Sequence, residues 1–237
     1  MQPSSPAAAS YIRTLGCDTI VELGSGRAEM GAAFSCFRYI PVDLRHGSLP
    51  VSFSGVLFSN EFFDALPVDL HLSSGEEVRV DFDGSRFEWS PPLGDGIVES
   101  QSQRLAWLDR IATALQSGYV ITIDYGYTRE ELVRFPQGTL MSYRKHTALA
   151  DVLEEPGERD ITAHVAFTDL MEHGNMLGLR TILFETLAQF VLRIGGADNF
   201  ESALAADTEL EGLKLRLQLK AILFGMGEGF RVLVQHK

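Results

Sequence analysis

The feature that most constrains this chain is a short β-branched run that stops abruptly at two glycines. Thr19-Ile20-Val21-Glu22-Leu23 is followed by Gly24-Ser25-Gly26, and Arg27 to Phe37 then has helical composition. The pattern predicts a buried strand, a tight glycine turn and a helix. Two more apolar runs stop at polar residues, Tyr39-Ile40-Pro41-Val42 at Asp43 and Val56-Leu57-Phe58 at Ser59-Asn60-Glu61. A further run, Tyr119 to Ile123, follows Gly118 and stops at Asp124. Glu99 to Leu115 carries Leu105, Leu108, Ile111, Ala112 and Leu115 at the spacing of an amphipathic helix, which Gly118 is expected to end. Strands alternating with helices predict an α/β fold, an open and mostly parallel sheet covered on both faces.

The whole chain, 1–237, reads as one domain with two embellishments. Residues 68–90 alternate polar and apolar around the turn signals Ser73-Ser74-Gly75 and Asp83-Gly84, which predicts a small antiparallel β insertion. Residues 127–178 have mixed signals and end in a helical stretch, Phe167 to Leu177, which predicts a helical accessory lobe or lid. A helix is expected at Ala8 to Leu15, and a strand at Leu179 to Leu183. Helices are expected through Phe190 and over Glu201 to Leu223, and a final strand at Phe230 to Val234.

Composition excludes several function classes. The 20 Lys and Arg against 32 Asp and Glu leave a net charge of −12, which argues against nucleic acid and anionic membranes and favours a cationic ligand or basic protein partner. Two cysteines, Cys17 and Cys36, with no CxxC pair suit a reducing compartment, so a cytoplasmic setting is expected. The start, MQPSSPAAAS, has no basic stretch before an apolar core, and no window has 18 uninterrupted apolar residues, so neither a secretory signal nor a membrane span is expected. The six histidines, His46, His71, His146, His164, His173 and His236, show no metal-ligand spacing, and no G-x-S-x-G elbow is present.

In open α/β sheets ligands bind outside the carboxyl ends of the strands, where this chain places Glu22, Gly24, Gly26, Asp43, Asn60, Glu61 and Asp124. The glycines allow close backbone approach, and the next helix's N-terminus would offer amide groups to a carboxylate. Asp43 ends the following strand, where a carboxylate accepts from both hydroxyls of a ribose. A dinucleotide would require a third glycine where Glu29 stands, so nicotinamide chemistry is only a remote option. S-adenosylmethionine carries no phosphate and suits an acidic setting.

Phe58-Ser59-Asn60-Glu61-Phe62-Phe63-Asp64-Ala65-Leu66-Pro67 resembles the signature of the MidA family of class I S-adenosylmethionine-dependent methyltransferases. Ile123-Asp124-Tyr125-Gly126, Gly138-Thr139-Leu140 with Tyr143 and His146, Asp160 to Val165 with Phe167, and Met226 to Phe230 follow in the family's order. The resemblance implies a Rossmann-like methyltransferase sheet with an antiparallel C-terminal strand. In the mitochondrial branch of the family it implies methylation of an arginine on a respiratory complex I subunit. By that likeness Glu22, Gly24, Gly26 and Arg27 hold the methionine end of the cofactor, Asp43 its ribose, and Asn60 with Glu61 the wall facing the acceptor. An arginine acceptor also calls for carboxylates, and Glu61, Asp64 and Asp124 are the catalytic candidates. Asp64 could instead cap a helix starting at Ala65, and Glu22 could orient the glycine turn without touching ligand. His164 could lie over the pocket or act as a core histidine, and Tyr125 and Tyr143 could pack on ligand or simply fill space.

Three departures from the family pattern carry expectations of their own. The segment before the glycine turn is shorter than usual, so part of the acceptor-side cover is expected to be missing. Only twelve residues separate Asp43 from Val56, too few for a helix and a strand, so the sheet should lack an edge strand and the adenine pocket one wall. The turn reads Gly24-Ser25-Gly26-Arg27-Ala28, and a left-handed backbone at Ala28 would cost about 1 kcal/mol. Ala166 also stands where the family usually has an acidic or amide residue. These changes fit either a compact enzyme or a catalytically inactive methyltransferase-fold binding or assembly factor.

Overall fold

The structure is a computed structural model that describes residues 5–45, 47–144, 147–149, 151–196, 200–204 and 208–237. His46 and His146 lie outside the described residues. After α1 (Ser5–Thr14), strands β1 (Thr19–Leu23), β2 (Arg38–Val42) and β3 (Phe53–Asn60) form one end of the main sheet. The insertion follows as β4 (Asp69–His71), β5 (Glu77–Phe82), β6 (Phe87–Ser90) and β7 (Val98–Ser100). Next come α2 (Ser102–Ala114), β8 (Leu115–Tyr127), α3 (Arg129–Leu132), β9 (Met141–Arg144), β10 (Thr147–Leu149), β11 (Asp160–Thr162), β12 (Val165–Ala166) and α4 (Phe167–Met176). The chain ends with β13 (Arg180–Thr186), α5 (Leu187–Gly195), α6 (Glu201–Leu204), α7 (Glu209–Phe224) and β14 (Phe230–His236).

The main sheet has seven strands in the order β13-β14-β8-β3-β1-β2, with β12 paired to β8 off this path. β1, β2, β3 and β8 run parallel, whereas β14 lies antiparallel between β8 and β13. The antiparallel C-terminal strand thus follows expectation. So does the missing strand: among the described residues no strand pairs with the outer edge of β2, and the short link after Asp43 leads to β3.

Alternation along the strands sends side chains to two cores. Ile20, Phe58, Ile121, Ile123, Val232 and Val234 pack with α1, α5 and α7 on one face. Val21, Leu57, Val120 and Leu233 pack with α2 and α4 on the other. Buried on both faces, the central strands read as continuous apolar runs, which is why they are visible in sequence.

Four elements differ from expectation. The helix predicted at Arg27 to Phe37 is only a single 3₁₀ turn, Glu29–Ala32. Gly118 lies inside β8 and does not stop a helix; a Cβ there would sit 2.0 Å from the Gly55 carbonyl oxygen, so the glycine permits close strand approach. The insertion extends past residue 90, since β7 closes a four-stranded sheet in the order β6-β5-β4-β7. The lobe predicted as helical is mostly a three-stranded antiparallel sheet, β10-β9-β11, while α4 packs on the main sheet.

Candidate functional site

The glycine turn and Asp43 meet as their spacing predicts. Gly26 N–H donates to Asp43 Oδ2 at 3.2 Å, and Arg45 N–H donates to Oδ1 at 3.3 Å. The Gly24 and Ser25 amides both donate to the Val42 carbonyl, at 2.9 and 3.3 Å. The turn is therefore tied to the end of β2, and with no helix behind it the expected row of free helix-terminal amides does not form. Gly24 and Gly26 both have left-handed backbones, φ 68° and 55°, and Ala28 shares that conformation at φ 57°. Gly24 must be glycine for a second reason, because the Phe62 ring lies 3.0 Å from where its Cβ would be. Arg27 is exposed on the turn.

Glu22 is buried, and the Tyr39 hydroxyl donates to its Oε2. Burial pushes its carboxyl up to about 7, against the opposing effect of that hydrogen bond. This contact orients Glu22 within the base of the turn.

Asn60 ends β3 and donates from Nδ2 to Glu61 Oε1 at 3.0 Å. Glu61 has a left-handed backbone, φ 51°, and its N–H donates to the Ile123 carbonyl at 3.0 Å. Its side chain reaches solvent, yet surrounding protein removes enough water to hold its carboxyl above the usual range, with the Asn60 amide acting the other way. Tyr125 lies nearby, its hydroxyl pushed up to about 12 by burial first and by Glu61 second.

Asp124 is fully buried and has a different task. Its Oδ2 accepts the N–H groups of Phe62 and Phe63 at 3.2 and 2.8 Å, and its Oδ1 accepts that of Tyr125 at 3.0 Å. It is the anchor that holds the Asn60 to Pro67 loop on the sheet, not a carboxylate open to an acceptor. Asp64 is buried beside it, and no helix starts at Ala65, so the capping role is excluded. Desolvation raises both acids; Glu61 adds to it at Asp64, which is pushed up to about 6, and Asp64 adds to it at Asp124, while the hydrogen bond the two carboxyls share lowers Asp64 and raises Asp124. The three proposed catalytic carboxylates are neighbours, but only Glu61 faces outward.

The sequence reading missed the residue that binds this region together. Arg104 of α2 is completely buried. Its Nε donates to the Phe63 carbonyl at 2.7 Å, its Nη1 to Gln101 Oε1 at 2.7 Å and the His164 carbonyl at 3.0 Å, and its Nη2 to the Ala163 carbonyl at 2.7 Å. One guanidinium thus clasps the signature loop to the accessory lobe. A signal existed, since Arg104 stands on the same stripe as Leu108 and Ile111. Glu99 does the same at the next level: its carboxylate accepts from the Thr139 and Leu140 amides and the Thr139 hydroxyl, which in turn accepts the His164 N–H at 2.7 Å. His164 packs edge-on against Tyr127 and Phe135, with ring centroids 5.2 and 5.5 Å away. Burial lowers its pKa, as for a neutral core histidine.

The residues around the turn suit S-adenosylmethionine. Ser25 Oγ is buried with no hydrogen-bond partner, and no atom lies within 4 Å of where a Gly26 Cβ would be. An unfilled hydroxyl, an open glycine, the Asp43 carboxylate and the adjacent acids match a ribose and a charged amino-acid end, whereas Glu29 opposes a pyrophosphate. Strand order and site together define a class I methyltransferase fold.

Residues 35–184, well over half the chain, match a family model described as "Putative S-adenosyl-L-methionine-dependent methyltransferase". The chain belongs to that family, whose cofactor is S-adenosylmethionine. Two solved structures from Burkholderia thailandensis share the fold. An uncharacterized protein in native form is 23% identical with a TM-score of 0.85, covering 99% of this chain and 79% of its own. A protein bound to S-adenosyl-homocysteine is 22% identical with a TM-score of 0.83, covering 99% and 76%. The CcbJ methyltransferase of Streptomyces caelestis is 12% identical with a TM-score of 0.52, covering 98% and 94%. No curated protein matches the chain. Among the described residues no helix is long and apolar enough to cross a membrane.

Proposed function

We propose that this methyltransferase modifies the guanidinium of a protein arginine. The observation that carries the reading is Glu61, an outward-facing carboxylate at the end of β3 whose pKa is raised by desolvation. S-adenosylmethionine, when bound, supplies an electrophilic methyl group on a sulfonium. Asp43 would hold the ribose, and the glycine turn with Ser25 the methionine end. A guanidinium is a poor nucleophile until it loses a proton. Glu61 accepts its forked hydrogen bonds and then that proton as nitrogen bonds to carbon, and a raised pKa makes it a stronger base than an ordinary carboxylate. Asn60 fixes the Glu61 carboxylate, and orientation supplies most of the rate. Asp64 and Asp124 position the loop that carries Glu61.

A second reading, a non-catalytic binding or assembly factor with this fold, draws on the turn amides spent on Val42 and Asp43 and on the left-handed Ala28. Calorimetric titration with S-adenosylmethionine and S-adenosylhomocysteine, repeated on Asp43→Ala, separates the two. Micromolar binding lost on substitution supports the enzyme, and no binding at millimolar ligand supports the factor. Mass spectrometry of arginine-containing proteins incubated with the enzyme and cofactor tests the acceptor. A methyl mass increment on arginine that Glu61→Gln abolishes is expected, and modification of another residue type would overturn the arginine assignment.

A further inference from the structure

Glu22 is an acid buried where its charge has little support. It is 4% exposed at the end of β1, and among the described residues only the Tyr39 hydroxyl donates to its carboxyl. Beside it in register lie Pro41 of β2 and Phe58 of β3, neither of which carries a charge or a side-chain donor. The charged groups of the surrounding segments are engaged elsewhere. Arg27 and Glu29 are exposed on the turn, Asp43 accepts the Gly26 and Arg45 amides, and Glu61 accepts from Asn60. No Lys or Arg among the described residues pairs with Glu22. A carboxyl in such a place keeps its proton above the ordinary range until a cation arrives.

Tyr39 is a donor held in place. Its ring lies against Phe34, with centroids 5.8 Å apart, and a Cβ on Gly31 would stand 3.4 Å from it, so the segment after the turn packs on the ring. The hydroxyl bridges β2 to β1 just below the two ties that fix the turn, Gly24 and Ser25 on Val42 and Gly26 on Asp43. Its hydrogen bond favours the charged carboxyl, but burial opposes it and prevails. The balance is therefore one that a single added charge tips. S-adenosylmethionine brings a net positive charge at its methionine end, through an ammonium, a carboxylate and a sulfonium. In S-adenosylhomocysteine the sulfur is a neutral thioether and that end has no net charge.

We infer that Tyr39 is a positioning residue of the cofactor site, which holds the Glu22 carboxyl at the base of the turn so that arrival of the cationic cofactor expels its proton. The pair thereby favours S-adenosylmethionine over S-adenosylhomocysteine, increasingly as pH rises through the range in which Glu22 titrates. Methyl transfer leaves the electron pair of the broken bond on sulfur, so the sulfonium becomes neutral and this attraction ends with the reaction. The inference rests on cofactor binding at the glycine turn and not on which acceptor is methylated.

Calorimetric titration of the whole chain at pH 6.5, in phosphate and in imidazole, counts the protons exchanged, because the two buffers differ in ionisation enthalpy. S-adenosylmethionine should release about half a proton or more, S-adenosylhomocysteine clearly less, and Glu22→Gln should abolish the difference. Tyr39→Phe keeps the ring and its packing. It should weaken S-adenosylmethionine at least fivefold at pH 7 and recover most of that loss by pH 8.5, where the carboxyl is ionised without help. Equal proton release with the two ligands, or a difference that survives Glu22→Gln, would overturn the inference. So would an equal loss of affinity in Tyr39→Phe at both pH values, which would make Tyr39 a packing residue. Failure of the wild-type protein to bind either ligand would instead remove the cofactor site on which the inference rests.

Discussion

Gly26 and Asp43, seventeen positions apart in sequence, are joined by a hydrogen bond of 3.2 Å from the glycine amide to the aspartate carboxylate. The bond ties the turn after β1 to the end of β2, and with the Arg45 N–H on Oδ1 each carboxylate oxygen keeps a lone pair for a ribose hydroxyl. Asp43→Asn keeps an oxygen for Gly26 but loses charge and an acceptor. S-adenosylmethionine should bind roughly tenfold to a hundredfold more weakly, about 1.4 to 2.7 kcal/mol, with the thermal midpoint unchanged. Calorimetric titration checks this, and wild-type affinity would remove Asp43 from the ribose site.

Ala28 holds a left-handed backbone at φ 57° without a glycine's freedom. Ala28→Gly should relieve the strain, stabilising the fold by about 1 kcal/mol and raising the midpoint by roughly 2–4 °C. Differential scanning calorimetry measures it, and a lower midpoint would show that the loop is not strained.

Glu22 predicts a pH dependence of definite sign. Its folded pKa, about 7, exceeds the ordinary glutamate value of 4.5, so the folded protein binds the extra proton between those values and stability falls as pH rises through that window. Glu22→Gln keeps an acceptor for Tyr39 and carries no charge. Its advantage over wild type should be near zero at pH 4.5 and grow to about 2–3 kcal/mol at pH 8. Urea titrations at the two pH values decide, and an advantage that shrinks with pH would contradict the assignment.

Arg104 satisfies carbonyls from two separate segments at once, so a point charge cannot replace its fork. Arg104→Lys should cost about 3 kcal/mol or more, since at least one carbonyl loses its donor in the core. Chemical denaturation should show this, and a loss below about 1 kcal/mol would mean that the clasp is replaceable.

Thr139 links Glu99 to the His164 backbone. Thr139→Val removes both hydroxyl bonds, at 2.6 and 2.7 Å, and should cost about 2 kcal/mol while speeding hydrogen exchange in β9, β11 and the segment after it. Faster exchange spread evenly over the main sheet would count against a local link.

Much of this was legible from local pattern. The strands around Val21, Leu57 and Ile121 are buried on both faces, so they appear as apolar runs, and the polar residues where they stop mark the ligand end of the sheet. The short link after Asp43 could be counted, and the missing edge strand followed. The helix expected after Gly26 did not form, because composition alone cannot supply the packing that stabilises a short helix. The lobe after Tyr127 was misread for a related reason: β9, β10 and β11 pair with one another in a sheet of their own, and such short strands leave little periodicity.

What tertiary structure alone decided is which carboxylate does what. In sequence Glu61, Asp64 and Asp124 are equivalent acids near strand ends. In the fold, Asp124 spends its oxygens on the amides of Phe62, Phe63 and Tyr125, Asp64 is buried against Asp124, and of the three Glu61 alone turns outward. Arg104, written among helix residues, becomes the cation that joins loop to lobe. A sequence specifies local conformation through neighbours a few positions away, but a side chain's charge state and partners depend on groups dozens of positions distant, which only the folded chain brings within hydrogen-bonding range.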